Sequence, residues 1–249
     1  MAVLTLSTET IPWHNLLSTT GLLMVLVGLT VTIGNYLLYH GLVRGPLLVT
    51  APIGSSFAAV TVVFSLLSGE RPTTINFIGI VVTLVGVVFA SLATSETAEG
   101  TQPGTVQQPF SWLSPGIAFA LGASFLLGVG FWAFRFVTPV LGSQTTVLVQ
   151  RITALVFSVI YLRARNVSTR LKSVSSLRWM LPMGAFDAAG YWFYNLGLLE
   201  GLTSIVSVIT GLFAIVTMLW GYAISRERIS RIQWVGVAVT LVGVALVSV

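Results

Sequence analysis

The sequence predicts an all-α fold, a polytopic bundle of membrane-spanning helices. Three observations predict it. Charged residues make up 8% of the 249-residue chain and apolar residues 55%, whereas a soluble domain is nearer a quarter charged. The apolar residues gather into stretches of the roughly 20 residues that a helix needs to cross a bilayer. The string VTLVGV also occurs twice, at Val82–Val87 and at Val239–Val244, which suggests that part of the bundle is duplicated.

Eight helices are expected, at about 16–40, 46–68, 73–93, 115–137, 144–162, 178–198, 202–224 and 230–249. The first three contain no Asp, Glu, Lys or Arg. The fourth carries Arg135 near its end, the fifth Arg151 about two turns in, and the sixth Asp187 near its middle. The seventh is again uncharged, and the eighth has Arg231 at its start. Pro52 and Pro182 fall inside these runs, but neighbouring helices in a membrane can satisfy the backbone groups that a proline frees. Two connections are long. Residues 94–114 are polar and rich in Gly, Pro and Gln, and the link from Leu162 to Arg178 carries Arg163, Arg165, Arg170 and Lys172.

The net charge of +5 is not a nucleic-acid signal, because the basic residues sit mostly between apolar runs, the usual pattern of loops beside a membrane. The absence of cysteine excludes disulfides, thiolate metal sites and a cysteine nucleophile. There is no P-loop, no H-E-x-x-H and no G-x-S-x-G. No cofactor and no metal are therefore expected, and any active process would draw on an ion or solute gradient. An enzyme is not expected.

The repeated string belongs to a longer duplication. At one constant offset, Gly34, Gly41, Leu42, Gly45, Ile53, Phe57, Ala58, Val60 and Thr61 fall on Gly190, Gly197, Leu198, Gly201, Ile209, Phe213, Ala214, Val216 and Thr217. After one inserted residue, Glu70, Arg71, Ile75, Gly79 and Thr83–Val87 fall on Glu227, Arg228, Ile232, Gly236 and Thr240–Val244. Low complexity would not keep Gly, Phe, Thr, Glu and Arg in step over so long a stretch. Five spans separate each element from its copy. Five is odd, so the copies point in opposite directions, and an inverted repeat is characteristic of transporters that rock around a midplane site. Residues 1–93 then form an incomplete first repeat of three helices, 94–114 a polar linker, and 115–249 a complete second repeat of five. Counterparts of the spans at 115–137 and 144–162 would lie before Met1, so eight of ten helices are expected, with the first two absent.

Two stretches carry a resemblance: G-L-V-R-G-P-L-L-V-T-A-P-I with F-A-A-V-T-V-V-F ending in G-E-R, and L-G-L-L-E-G-L-T-S-I with F-A-I-V-T-M-L-W ending in R-E-R. Each precedes a Gly-x6-Gly helix, with Gly79/Gly86 and Gly236/Gly243 expected as packing positions. This is similar to the EamA-type repeat of the drug/metabolite transporter superfamily. The resemblance implies ten helices as two inverted five-helix repeats, and export of amino acids, drugs or metabolites across the cytoplasmic membrane. The implied partners are a small organic solute and the lipid bilayer, with no nucleic acid, and a homodimer is left open. Two alternatives stay open: a non-transporting scaffold or partner subunit, because two helices are absent, and an intramembrane enzyme.

Within a bilayer an isolated carboxylate costs about 2.5–3.5 kcal/mol on insertion scales, so Asp187 should face protein or water. Tyr191 and Tyr194 follow at i+4 and i+7 on the same face, and Asn195 is next. Together they form a strip able to hold a solute or carry a proton. Arg151 could pair with Asp187 or extend to the headgroups. Asn35 and Tyr39 occupy the positions of Tyr191 and Asn195 in the first repeat, with His40 adjacent. These groups are candidate binding residues, with Arg151 and His40 as candidates for ion pairing or coupling. The Gly, Ser and Thr stripes along 46–68 and 202–224 are expected to let helices approach closely. Glu70 and Glu227 are expected to be structural, each lying near a helix N-terminus.

The loops near 44, 94–114, 163–178 and 225–231 share one side of the membrane and hold Arg44, Arg163, Arg165, Arg170, Lys172, Arg178, Arg226, Arg228 and Arg231. The positive-inside rule places that side in the cytoplasm and both termini outside. The resemblance implies cytoplasmic termini instead.

Overall fold

The computed structural model describes residues 18–44, 50, 53–91, 115–166, 174–212, 215–216, 219 and 230–247. The linker 94–114, and with it Glu96 and Glu99, lies outside the described residues. So do Arg170, Lys172, Arg226, Glu227 and Arg228. Among the described residues eight helices follow in order: α1 Thr19–Arg44, α2 Phe57–Leu67, α3 Thr74–Ser91, α4 Pro115–Leu141, α5 Ser143–Ala164, α6 Val174–Glu200, α7 Thr203–Thr210 and α8 Arg231–Val247. Each overlaps an expected span, although α2 and α7 cover only part of 46–68 and 202–224. The helices accommodate Pro139 in α4 and Pro182 in α6. By length and composition, α1, α4 and α5 can each cross a membrane, while α3, α8 and the segment Ile53–Leu67 are apolar but shorter. Their outward faces carry large apolar side chains such as Leu22, Val63, Leu155, Phe193 and Leu241. That pattern suits a lipid solvent, in which the helix satisfies its own backbone groups.

The chain forms two compact units. The first comprises residues 1–32 and 133–201, the second 33–132 and 202–249. In the first unit α5 packs on α6, and Phe134, Val137, Leu141, Tyr194 and Leu198 are buried with Met24 and Val31 of α1. Gly28 lets α1 approach α5: a Cβ there would lie 3.2 Å from Thr153.

In the second unit α2 packs on α7 and α3 on α8. The small-residue stripes serve this packing. Phe57, Thr61 and Ser65 are buried on α2, and Thr203, Ser204 and Ser207 on α7. Val62 and Val208 meet in a cluster with Ile80 and Val247. Of the expected α7 stripe, Ala214 and Thr217 lie outside the described residues. Several buried hydroxyls bond back along their own helices, as Thr83 Oγ1 does to Gly79 O (2.7 Å) and Thr240 Oγ1 to Gly236 O (2.8 Å), whereas Ser65 Oγ and Ser204 Oγ are buried with no hydrogen-bond partner among the described residues.

The crossing of α3 and α8 is built on glycine. A Cβ on Gly79 would come within 2.8 Å of Gly243 O, and one on Gly86 within 2.9 Å of Gly236 O. The two helices therefore run antiparallel. The repeat equates Gly79 with Gly236 and Gly86 with Gly243, so one contact is the image of the other.

Glu70 is structural, but in a manner that its place in the chain does not reveal. It precedes α3, yet its carboxylate accepts bonds from the N–H groups of Thr203 (3.1 Å) and Ser204 (3.0 Å). It thus caps α7, while itself only 8% exposed. Both oxygens satisfy otherwise unpaired N-terminal donors, and the charge meets the positive end of the helix dipole. Glu70→Ala should strip both donors of their partner and destabilise the protein by about 1–3 kcal/mol. Glu70→Gln, which keeps one acceptor, should cost less. Thermal melting of the purified protein in detergent checks the order, and equal melting of all three forms would refute the cap.

Candidate functional site

The structure places Asp187, Tyr191, Tyr194, Asn195 and Arg151 in the first unit. Arg151 projects from α5 and Asp187 from α6, the two helices that pack together. Arg151 Nη1 donates to Asp187 Oδ2 at 2.6 Å. The guanidinium also sits over the Tyr191 ring, 4.6 Å from its centroid. Of the two courses open to Arg151, pairing is the one it takes. The side chains are 31% and 55% exposed respectively, although Nε and Nη2 of Arg151 are themselves buried. Helix spacing sets this up: Asp187 and Tyr191 are one turn apart, so the carboxylate grips the cation while the ring supports its face.

Tyr194 and Asn195 do not share that setting. Tyr194 is buried with its ring 6.2 Å from that of Phe134. Asn195 is also buried, accepting from Thr138 Oγ1 at 2.5 Å and donating through Nδ2 to Tyr191 O at 2.8 Å. The strip read from sequence thus divides into an exposed charge pair and a buried amide cluster, joined at Tyr191. Its ring also lies 6.3 Å from Phe134. Trp192 Nε1 donates to Ser143 Oγ at 3.3 Å, a further tie between α5 and α6.

A third set of groups was not singled out as a stripe in the sequence. Ser143, Thr146, Gln150 and Thr153 are buried along one side of α5. Gln150 is 2% exposed, and its Oε1 has no hydrogen-bond partner among the described residues. The spacing i, i+3, i+7, i+10 was the available signal, since four polar positions in phase on an apolar span define a face.

Asn35, Tyr39 and His40 fall in the second unit. Tyr39 is 59% exposed, and Asn35 is half-buried. His40 Nε2 is hydrogen-bonded to the Tyr36 hydroxyl one turn away on α1. The His40 ring meets Tyr36 edge-on and lies 6.0 Å from Phe119. Arg44 stacks over the same Phe119 ring. This is an aromatic and cationic cluster at the end of α1. A cleft in this unit is lined by Ser55, Ala58, Leu84, Val88, Val208 and Gly211. It is almost wholly apolar and contains none of the candidate residues.

The buried amide cluster makes a quantitative claim. Thr138→Val keeps the shape but leaves Asn195 Oδ1 without its donor. Interhelical hydrogen bonds in membranes average about 0.6 kcal/mol and reach about 1.7. Because this one is short and buried, a loss near the upper figure is expected, read as a lower unfolding midpoint in a detergent–denaturant titration. An unchanged midpoint would show that the bond contributes nothing.

These helices and this charge pair define a polytopic helical membrane protein with ionisable groups part-way along its spans. The family model of the EamA-like transporter family matches residues 114–249. The chain belongs to that family, part of the drug/metabolite transporter superfamily. It is thus a multi-pass membrane transporter of the drug/metabolite type, with a small solute and the bilayer as its partners. No curated protein matches the chain. A solved structure described as "Crystal structure of protein" is 16% identical, covers 98% of this chain and 78% of its own, and has a TM-score of 0.69. At that identity the likeness is one of fold.

Proposed function

We propose that the chain is a secondary-active exporter of a small organic metabolite or drug, working by alternating access in the cell membrane. The observation that carries this reading is the Arg151–Asp187 pair, set part-way along two packed apolar helices and backed by Tyr191. Charges at such depth are costly, and in membrane proteins they mark solute or ion pathways. The repeat supplies the frame: residues 1–93 and 115–249 as inverted repeats joined by the linker 94–114. The antiparallel, self-matching crossing of α3 and α8 supports that inversion, since an inverted pair relates its two copies by a two-fold axis in the membrane plane. Asp187 contacts the solute, and proton movement down its gradient is the simplest driving force. A homodimer would be compatible with this reading and is not required by it.

The test is solute efflux from proteoliposomes containing the full chain. Wild type should move organic solutes down an imposed proton gradient, and Asp187→Asn should lose solute-dependent flux. Full flux in the variant would remove Asp187 from the pathway. No flux of any solute by wild type would favour a scaffold role.

A further inference from the structure

We infer that the solute carries a carboxylate, and that the Nε/Nη2 edge of Arg151 receives it. The inference rests on the transporter reading and gives the site its ligand chemistry. It starts from how the guanidinium is used. Nη1 is taken by Asp187 Oδ2, and one face lies against Tyr191. Nε and Nη2 are shut off from solvent and have no hydrogen-bond partner among the described residues. Together those two nitrogens make the side-on fork of an arginine, whose N–H groups run parallel at the spacing of the two oxygens of a carboxylate. Buried donors are nearly always paired, so two orphans on one edge ask for a reason. Asp187 and Tyr191 fix the guanidinium in position and plane, which leaves that edge oriented before any ligand arrives.

Depth argues against a lipid headgroup as the natural partner. Arg151 lies eight residues into α5, roughly 12 Å along the axis at the helical rise, with more than a dozen residues beyond it. The sealed edge means that the carboxylate gains access only when the protein opens, which is the event alternating access provides. Next along α5, Gln150 Oε1 is a buried acceptor without a partner, suited to a hydroxyl or amino donor elsewhere on the solute.

The experiment measures equilibrium binding to the purified full chain by calorimetry, with benzoate, benzyl alcohol, benzylamine and phenyl phosphate as probes. Benzoate should bind at least about tenfold more tightly than the alcohol or the amine. Arg151→Lys keeps the charge and the pairing with Asp187 but loses the fork, so it should lose that preference while benzyl alcohol binding stays constant. If Arg151→Lys fails to fold, the wild-type preference among the four probes still decides the question, because that comparison needs no variant. Equal binding of benzoate and the alcohol, a preference for the amine, or an unchanged preference in Arg151→Lys would overturn the proposal. Preference for phenyl phosphate over benzoate would also overturn it, and would point to a phosphate source, including lipid. Vesicle flux separates the two readings. Benzoate binding without flux of any solute would sink the transporter reading and leave the carboxylate site standing. Flux without a carboxylate preference would do the reverse.

Discussion

Leucine at Gly236 should cost the protein its folded state. A Cβ at this position of α8 would meet the Ala90 backbone nitrogen, the Phe89 carbonyl carbon at 2.7 Å and the Ala90 Cα at 2.8 Å. These are backbone atoms of α3 and cannot swing aside as a side-chain tip can. Even one extra methylene in a tight core costs about 1–3 kcal/mol, and leucine brings four carbons into a gap too small for one. The total stability of a fold is only about 5–15 kcal/mol, so the crossing should open. Gly86→Leu should fail in the same way, because its Cβ would meet the Thr240 backbone and the Gly236 carbonyl. Gly184 and Gly190 on α6 supply the control: a Cβ on either meets nothing within 4 Å. Gly184→Leu and Gly190→Leu should extract and melt like wild type. The readout is the monodisperse fraction after detergent extraction, followed by thermal melting. A Gly236→Leu protein that melts with wild type would show that α3 and α8 do not depend on this contact.

Neutralising the charge pair gives the second large effect, and a double-mutant cycle separates its structural part from its functional part. Asp187→Asn leaves a guanidinium without its counter-ion, and Arg151→Gln leaves a bare carboxylate. Either single change should lower the yield of folded protein, because an unpaired charge in a membrane costs more than a missing pair. The combined variant Arg151→Gln/Asp187→Asn has no orphaned charge and should recover much of that yield. Its flux in vesicles should nonetheless remain at least about tenfold below wild type, equivalent to about 1.4 kcal/mol. A purely structural pair predicts the opposite, a double variant that both folds and transports. Observing that would take Arg151 and Asp187 out of the transport pathway together.

The helices were legible because each is an apolar run bounded by charge or by glycine and proline, and a bilayer admits few other structures for such a run. The Gly79/Gly86 and Gly236/Gly243 spacing was legible as packing for the same reason: glycine at helical intervals has little else to offer. What the sequence could not supply was partnership across distance. Glu70 stands four residues before the start of α3, so local reasoning assigns it to that helix, yet it caps α7 more than a hundred residues later. Whether Arg151 extends toward headgroups or pairs with Asp187 depends on the packing of α5 on α6, which no local pattern encodes. Tyr194 and Asn195 share helical phase with Asp187, but burial sets them apart, because Phe134 and Thr138 of α4 cover them and not the carboxylate. The polar stripe of α5 was present in the spacing and easy to pass over, since single Ser and Thr residues are ordinary in membrane helices.

The crossing of α3 and α8 also dictates an order of events during synthesis. The glycine face of α3 leaves the ribosome early, and its partner α8 emerges more than a hundred residues later. Until residues 231–247 are made and inserted, the shallow face around Gly79 and Gly86 must stand against lipid or a temporary occupant. The second unit can therefore close only once α8 has been inserted, as a post-insertional docking step. Ribosome-arrested chains stopped before α8 should accordingly expose a cysteine probe placed at Thr83, and released full-length chains should bury it.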